Sequence, residues 1–211
     1  ERGDDGGDAG AALEEAAAQI RRDCERCYLE GAGDHFLEPA RQQLMFGVLL
    51  TWAHAHPEPG YRQGMHEVLA PLVLALEESG DAAALVVLPP ENALHALLDD
   101  AKYLEADVYA LFDALMADVA PLYATGGSSA TPVLALCERV QGAALRAADP
   151  ELAAHLNARG GKTDVLPQVY MLPWLRLLFG RQFPVGSVLV LWDAFFSTAR
   201  DGRAGAAASH P

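Results

Sequence analysis

An arginine and a glutamine in the first third of the chain have side chains suited to phosphoryl transfer. Arg26 ends the segment IRRDCER, three residues after Asp23, and Gln63 lies in the segment YRQGM that begins at Tyr61. A guanidinium is planar and permanently charged, so it can stabilise negative charge on phosphoryl oxygens. A carboxamide donates and accepts hydrogen bonds at once, so it can hold an attacking water in line. Together they favour catalysis by positioning and electrostatics.

Two helical segments are predicted to position these residues. The apolar residues before Arg26 recur at three- and four-residue spacing, which predicts a helix from about Leu13 that contains Arg26. Asp23 then lies on the same helical face as Arg26, where it can hydrogen-bond and orient the guanidinium. A second amphipathic stripe begins at Met65, directly after the segment of Gln63. The rest of the chain must bring these two helices together.

The remaining pattern predicts an all-α protein with two helical lobes. Residues 1–10 are rich in Gly and Asp and predict a flexible leader. The Gly- and Ser-rich segment 124–130 predicts a boundary between an N-terminal lobe over residues 11–124 and a C-terminal lobe over residues 131–211. The first residue is Glu rather than Met, so we interpret the chain as a fragment. We expect the domain to be incomplete at both ends.

Several helix boundaries can be predicted beyond the first lobe. Thr131 and Asp149 each precede a proline, which is typical of a helix start. A further helix is predicted around residues 94–98, and the glycines at 160–161 predict a helix end. The block 174–192 is apolar on nearly all faces, so we expect it to form the core of the second lobe.

Three sequence blocks occur in a fixed order along the chain. The first reads IxxDxxR and ends at Arg26, the second reads YxQGM and begins at Tyr61, and the third is WLRLLFGRQFP followed by LWD over residues 174–193. This set resembles the signature of TBC-domain Rab GTPase-activating proteins. The resemblance spans roughly residues 20–196. It implies a two-lobed TBC fold and a protein that activates a Rab-type GTPase in its GTP form.

The resemblance also implies a role for each matching residue. Arg26 matches the arginine finger, and Gln63 matches a glutamine finger that replaces the water-orienting glutamine of the GTPase. Asp23 and Tyr61 match supporting positions, and Gly64 lets the backbone approach the nucleotide because it has no side chain. An activator of this kind has no turnover of its own. It needs no cofactor or metal, because the partner GTPase holds GTP and Mg²⁺.

Two short segments refine the resemblance. QGMHE, which begins at Gln63, and RLLFGR, which begins at Arg176, are most similar to the subfamily linked to late-endosomal Rabs and retromer. The resemblance therefore implies vesicle trafficking and recruitment to endomembranes through partners.

Two other functions are compatible with an all-α chain. One is a catalytically silent TBC module that binds a Rab or a scaffold, but such a module could lose both fingers, and this chain has both. The other is an unrelated helical interaction domain that matches by accident. Such a domain would not place Arg26 and Gln63 side by side.

The cysteines and histidines invite a metal or redox interpretation. Cys24 and Cys27 form a CxxC pair, yet no second Cys or His pair follows at zinc-site spacing, and no βαβ pattern surrounds them. His54 and His56 are similarly isolated. We therefore expect the two cysteines to pack as small apolar side chains and predict no metal site.

Composition excludes several classes of protein. The 211 residues are 51% hydrophobic and 21% charged, which is typical of a packed domain. The net charge of -14 opposes binding to nucleic acid or anionic lipid. No apolar run reaches the roughly 18 residues of a membrane span, so we expect no direct membrane insertion. Three cysteines without a signal-peptide pattern predict a cytoplasmic protein.

Overall fold

The computed structural model describes residues 5–83, 101–124, 131–157 and 165–207 of the chain. Within these ranges every regular element is helical, and the predicted all-α class is confirmed. The α-helices are α1 (Asp5–Glu25), α2 (Pro39–Ala55), α3 (Met65–Ala83), α4 (Leu104–Val119), α5 (Pro132–Arg139), α6 (Leu145–Ala148), α7 (Pro150–Leu156), α8 (Pro167–Arg176) and α9 (Val185–Ala207). The shorter turns are the 3₁₀ turns His35–Leu37, Ala101–Tyr103 and Ala120–Tyr123 and the π turn Val140–Ala144.

Helix α1 differs from its prediction at both ends. It begins at Asp5, inside the predicted leader of residues 1–10 and well before Leu13, and it ends at Glu25, so Arg26 follows the helix instead of lying within it. The segment 9–18 is rich in alanine, the residue with the highest helix propensity, which offsets the cost of about 1 kcal/mol for each glycine. The sequence prediction therefore overestimated the destabilising effect of the glycines on this helix.

Both predicted proline starts are confirmed. Helix α5 begins at Pro132 and α7 begins at Pro150. The Oδ1 atom of Asp149 accepts a hydrogen bond from the backbone N–H of Leu152 at 2.9 Å, whereas the Thr131 side chain makes no capping bond. The helix predicted near residues 94–98, most of the 124–130 boundary and the glycines at 160–161 lie outside the described residues.

The larger hydrophobic core lies among the first four helices. Helix α1 packs on α2, and α3 and α4 pack on each other and on α2. Trp52 is buried in this core, and its indole N–H donates to Asp113 Oδ1 at 3.1 Å. The smaller core is centred on Val133, Cys137 and Met171, where α5 packs on α8.

The third sequence block divides between the two cores, whereas the prediction placed the whole block in the core of the second lobe. Trp174 packs against the smaller core, but Trp192 is buried in the larger one, where α9 meets α3. The Trp192 indole N–H donates to the Leu178 carbonyl at 2.9 Å. A block that is apolar on all faces predicts burial but not the neighbour against which it is buried.

Candidate functional site

Arg26 lies in the turn that follows α1, with most of its side chain in solvent. The side chain is 57% exposed, and its Nη2 atom donates to Asp23 Oδ1 at 2.5 Å. The predicted contact between these two residues is therefore formed, although Arg26 lies after the end of the helix and not within it as predicted. The guanidinium is anchored on one side and remains accessible to a ligand on the other.

Asp23 is a fully buried carboxylate that several donors satisfy. Besides Arg26, it accepts hydrogen bonds from the Gln19 amide, at 3.1 Å to each oxygen, and from the Tyr61 hydroxyl at 2.7 Å. Burial alone raises the pKa of Asp23, but the hydrogen bonds from Tyr61 and Gln19, with His66 and Arg26, outweigh burial and lower it. The carboxylate is therefore ionised at neutral pH and fixes the position of the guanidinium.

Tyr61 connects the two motif segments through its hydroxyl. Its side chain is buried, and the hydroxyl that donates to Asp23 also lies 3.1 Å from His66 Nδ1. The hydroxyl proton goes to Asp23, so the Nδ1–H of a neutral imidazole donates to the Tyr61 oxygen. Burial lowers the pKa of His66, although Glu67 and Asp23 raise it, so the ring is neutral at neutral pH. This network holds the start of α3 against the end of α1.

Gln63 is exposed in the turn directly before α3. Within the described residues, no group forms a hydrogen bond with its carboxamide, which is therefore free to bind a ligand. Gln63 and Arg26 line the same open cleft, which has a volume of about 390 Å³. The residues that line this finger cleft are Arg26, Tyr28, Glu30, Gln63, His66, Glu67, Gly180 and Arg181. The structure thus brings together the two residues that were predicted to act on a phosphoryl group.

Gly64 is required by local geometry. Its φ angle is +103°, which side-chain-bearing residues rarely adopt, and a Cβ atom there would lie 2.9 Å from Leu177 Cδ2 and 3.6 Å from the Tyr123 hydroxyl. The expectation from the sequence was that this glycine permits close approach to a nucleotide. In the structure, Gly64 packs closely against the loop that follows α8, and this packing accounts for a glycine at the position.

We expect Gly64→Ala to lower the free energy of unfolding by about 2 to 4 kcal/mol, because it combines backbone strain with overlap against Leu177. Chemical denaturation at neutral pH measures this change. Gly142→Ala is the matched control, since a Cβ there meets nothing within 4 Å and its φ is not positive. Equal stability of the two variants would contradict the close packing at Gly64.

Arg181 is a cleft residue for which the sequence predicted no role. Its Nε and Nη2 atoms donate to the two carboxylate oxygens of Glu67 at 2.5 and 2.6 Å. Glu67 is 5% exposed, whereas the Arg181 side chain is 61% exposed. The nearby Val185 N–H donates to the Glu30 carbonyl at 2.7 Å. Arg181, in the loop between α8 and α9, and Val185, the first residue of α9, therefore contact two residues that line the finger cleft. The third block marks Arg181 in the sequence, but spacing alone gives no sign of its pairing with Glu67.

The cysteine pair does not line the finger cleft and is inaccessible. Cys24 and Cys27 are each 2% exposed. Burial, with smaller contributions from Asp23 and Glu25, raises the pKa of Cys24 to about 12, and burial raises that of Cys27 to about 12 as well. Thiols with such pKa values stay protonated and are poor nucleophiles and metal ligands. Among the described residues, no three His, Cys, Asp or Glu side chains are grouped to hold a metal ion.

Comparison with known families identifies the class of protein that this fold and site define. A family model described as the Rab-GTPase-TBC domain matches residues 8–204. The chain belongs to this family, and the predicted family is confirmed.

Several curated proteins are similar in sequence. TBC1 domain family member 5 of Mus musculus is 32% identical over 207 residues, which covers 87% of this chain and 24% of that protein. Its Homo sapiens counterpart is also 32% identical, with 87% of this chain and 25% of that protein covered. The GTPase-activating protein gyp1 of Schizosaccharomyces pombe is 25% identical over 171 residues, covering 79% of this chain and 30% of that protein. The chain thus spans about a quarter of the length of the TBC1 relatives.

A solved structure shares the fold. The crystal structure of the Ypt/Rab-GAP domain of Gyp1p superposes with a TM-score of 0.66 at 20% sequence identity. The match covers 89% of this chain and 56% of that one. In the described part of this chain, no helix is both long and apolar enough to cross a membrane.

Proposed function

We propose that this chain accelerates GTP hydrolysis by a Rab-type small GTPase, to which it presents Arg26 and Gln63 in trans. The observation that carries the proposal is the finger cleft, where an exposed guanidinium anchored by a buried carboxylate and an unpaired carboxamide face the same space. The family description and the name of the S. pombe relative support the same activity.

Each finger has a distinct chemical task. Hydrolysis of GTP spreads negative charge over the γ-phosphate oxygens in the transition state, and the Arg26 guanidinium stabilises that charge. The Gln63 carboxamide accepts a hydrogen bond from the attacking water and donates one toward the phosphate, which keeps the water in line. An arginine supplied in trans to a GTPase increases the rate by roughly 10³ to 10⁵, or about 4 to 7 kcal/mol.

The supporting residues act by limiting the freedom of the fingers. Asp23 holds the Arg26 guanidinium, and Tyr61 links Asp23 to the segment that carries Gln63. These contacts lie within the chain and restrict the finger side chains, so less conformational entropy is lost when the transition state is reached. Gly64 permits the turn that places Gln63 at the rim of the cleft.

The partner supplies the rest of the catalytic centre. GTP and Mg²⁺ are held by the GTPase, so the activator needs no cofactor of its own and does not hydrolyse GTP alone. Such a protein acts in the cytoplasm and is recruited to endomembranes through partners rather than by inserting into the bilayer. The link to late-endosomal Rabs and retromer remains a prediction from the sequence.

A single-turnover GTPase assay across a panel of Rab proteins tests this function. The chain is added to each GTP-loaded Rab, and phosphate release is followed with time. We expect at least one Rab to be accelerated by a factor of about 10³ or more. Binding to a GTP-loaded Rab without acceleration would instead identify a catalytically silent module, and no binding to any Rab would overturn the proposal.

A further inference from the structure

A second cleft lies beside the finger cleft and shares Gln63, Glu67 and Arg181 with it. It does not include Arg26. Gln63 therefore stands at the border between the finger cleft and this second cleft.

This second cleft is cationic although the whole chain is acidic. It contains three arginines and one carboxylate, and that carboxylate, Glu67, already binds Arg181 through both oxygens. Arg62 and Arg176 form no ion pair within the described residues. In a chain with a net charge of -14, this is a local excess of positive charge that can attract an anionic group.

Arg176 is held in place by groups other than an acid. Its Nε atom donates to the Leu122 carbonyl at 2.9 Å, and its guanidinium carbon lies 5.7 Å from the centre of the Tyr123 ring. The Tyr123 hydroxyl donates back to the Arg176 carbonyl at 2.7 Å. Within the described residues, the two terminal nitrogens of Arg176 have no hydrogen-bond partner. A guanidinium fixed in this way has little conformational entropy to lose on binding a carboxylate.

Arg62 supplies a second, exposed positive charge at the same cleft. Its side chain is exposed, and the guanidinium makes only one hydrogen bond within the described residues, a long contact of 3.5 Å from Nη1 to the Tyr61 carbonyl. Leu172, Pro173 and Leu177 give the cleft apolar walls. Apolar walls beside two arginines suit a protein segment with an acidic side chain better than a bare phosphate.

We propose that Arg62 and Arg176 bind an acidic segment on the protein surface of the partner GTPase and thereby contribute to the choice of partner. The inference rests on the proposed function, since a γ-phosphate between Arg26 and Gln63 brings the surrounding GTPase surface over this second cleft. The interaction strengthens binding of ground state and transition state alike, so it changes KM and Kd but not kcat.

Charge reversal at Arg62 tests the surface with little effect on folding. With the Rab that the panel identifies, we expect Arg62→Glu to raise KM, and Kd for the GTP-analogue complex, by about 10-fold or more, with kcat within about 2-fold of wild type. The KM and Kd of Arg62→Lys should stay within about 3-fold of the wild-type values, because the positive charge remains. Arg146→Glu is the matched control, an exposed arginine on α6 that lines neither cleft, and it should leave both constants unchanged.

A charge-swap experiment identifies the source of the anion. Acidic surface residues of the GTPase are changed to lysine one at a time, and each variant is titrated with Arg62→Glu. The proposal is supported if one lysine variant of the GTPase restores the affinity of Arg62→Glu. It is overturned if Arg62→Glu binds the unaltered GTPase with unchanged Kd, or if no lysine variant restores the lost affinity. A fall in kcat without a change in Kd would assign Arg62 to the nucleotide and also overturn it. Arg26→Ala, measured in parallel, tests the proposed function separately, because it should lower kcat and leave Kd nearly unchanged.

Discussion

Arg26→Ala is expected to lower the maximal rate of activated GTP hydrolysis by at least about 100-fold, with Kd for the GTP-loaded partner within several-fold of wild type. The reason is that the guanidinium stabilises charge that develops only in the transition state, so its loss changes kcat rather than ground-state binding. Single-turnover hydrolysis at saturating activator measures the rate. Titration with a non-hydrolysable GTP analogue on the partner measures Kd.

Two further variants distinguish an arginine finger from a cysteine or metal mechanism. Arg26→Lys should recover little activity, because a point ammonium cannot reproduce the planar fork of a guanidinium. Cys24→Ala should leave the rate almost unchanged, and so should a chelator of transition metals that spares the Mg²⁺ of the GTPase. Wild-type stimulation by Arg26→Ala, together with loss of activity in Cys24→Ala or with the chelator, would reject the finger and favour the cysteine or metal mechanism.

Gln63→Ala is expected to lower the maximal rate nearly as far, again by about 100-fold. The carboxamide has no hydrogen-bond partner among the described residues, so its removal breaks no hydrogen bond within them and should not unfold the protein. The same single-turnover assay measures the loss. Thermal unfolding of the variant, expected to match that of wild type, is the control for folding.

The double variant tests whether the two fingers act together. We expect Arg26→Ala combined with Gln63→Ala to lose less than the product of the two single losses, because residues that stabilise one transition state as a unit are not additive. A loss equal to the full product would mean that the two side chains act on separate steps.

Much of the site could be predicted from the sequence because its residues lie in two short segments. The spacing of Asp23 and Arg26 indicated the anchored guanidinium, and the order of the three blocks indicated the family. What spacing could not indicate is contact over long separations. The Tyr61 hydroxyl bond to Asp23 and the bidentate pair of Arg181 with Glu67 depend on how helices pack, which a single sequence does not specify.

The fold shows the same division between local and tertiary information. Helix starts at Pro132 and Pro150 could be predicted because a proline and the residue before it act locally. The burial of Trp192 in the larger core could not be predicted, because its block is apolar on all faces and fits either core. The start of α1 at Asp5 was missed because alanine propensity and glycine cost oppose each other in the same ten residues.

The central claim, that both catalytic side chains come from this chain, is tested most directly with an altered partner. A Rab whose own water-orienting glutamine is replaced by leucine is loaded with GTP and mixed with wild-type chain, and phosphate release is measured in a single turnover. Because Gln63 supplies the carboxamide, we predict stimulation within about 10-fold of that of the unaltered Rab. Gln63→Ala is predicted to abolish this stimulation. Loss of stimulation by the wild-type chain, while the altered Rab still binds it, would show that the glutamine comes from the GTPase and would contradict the claim.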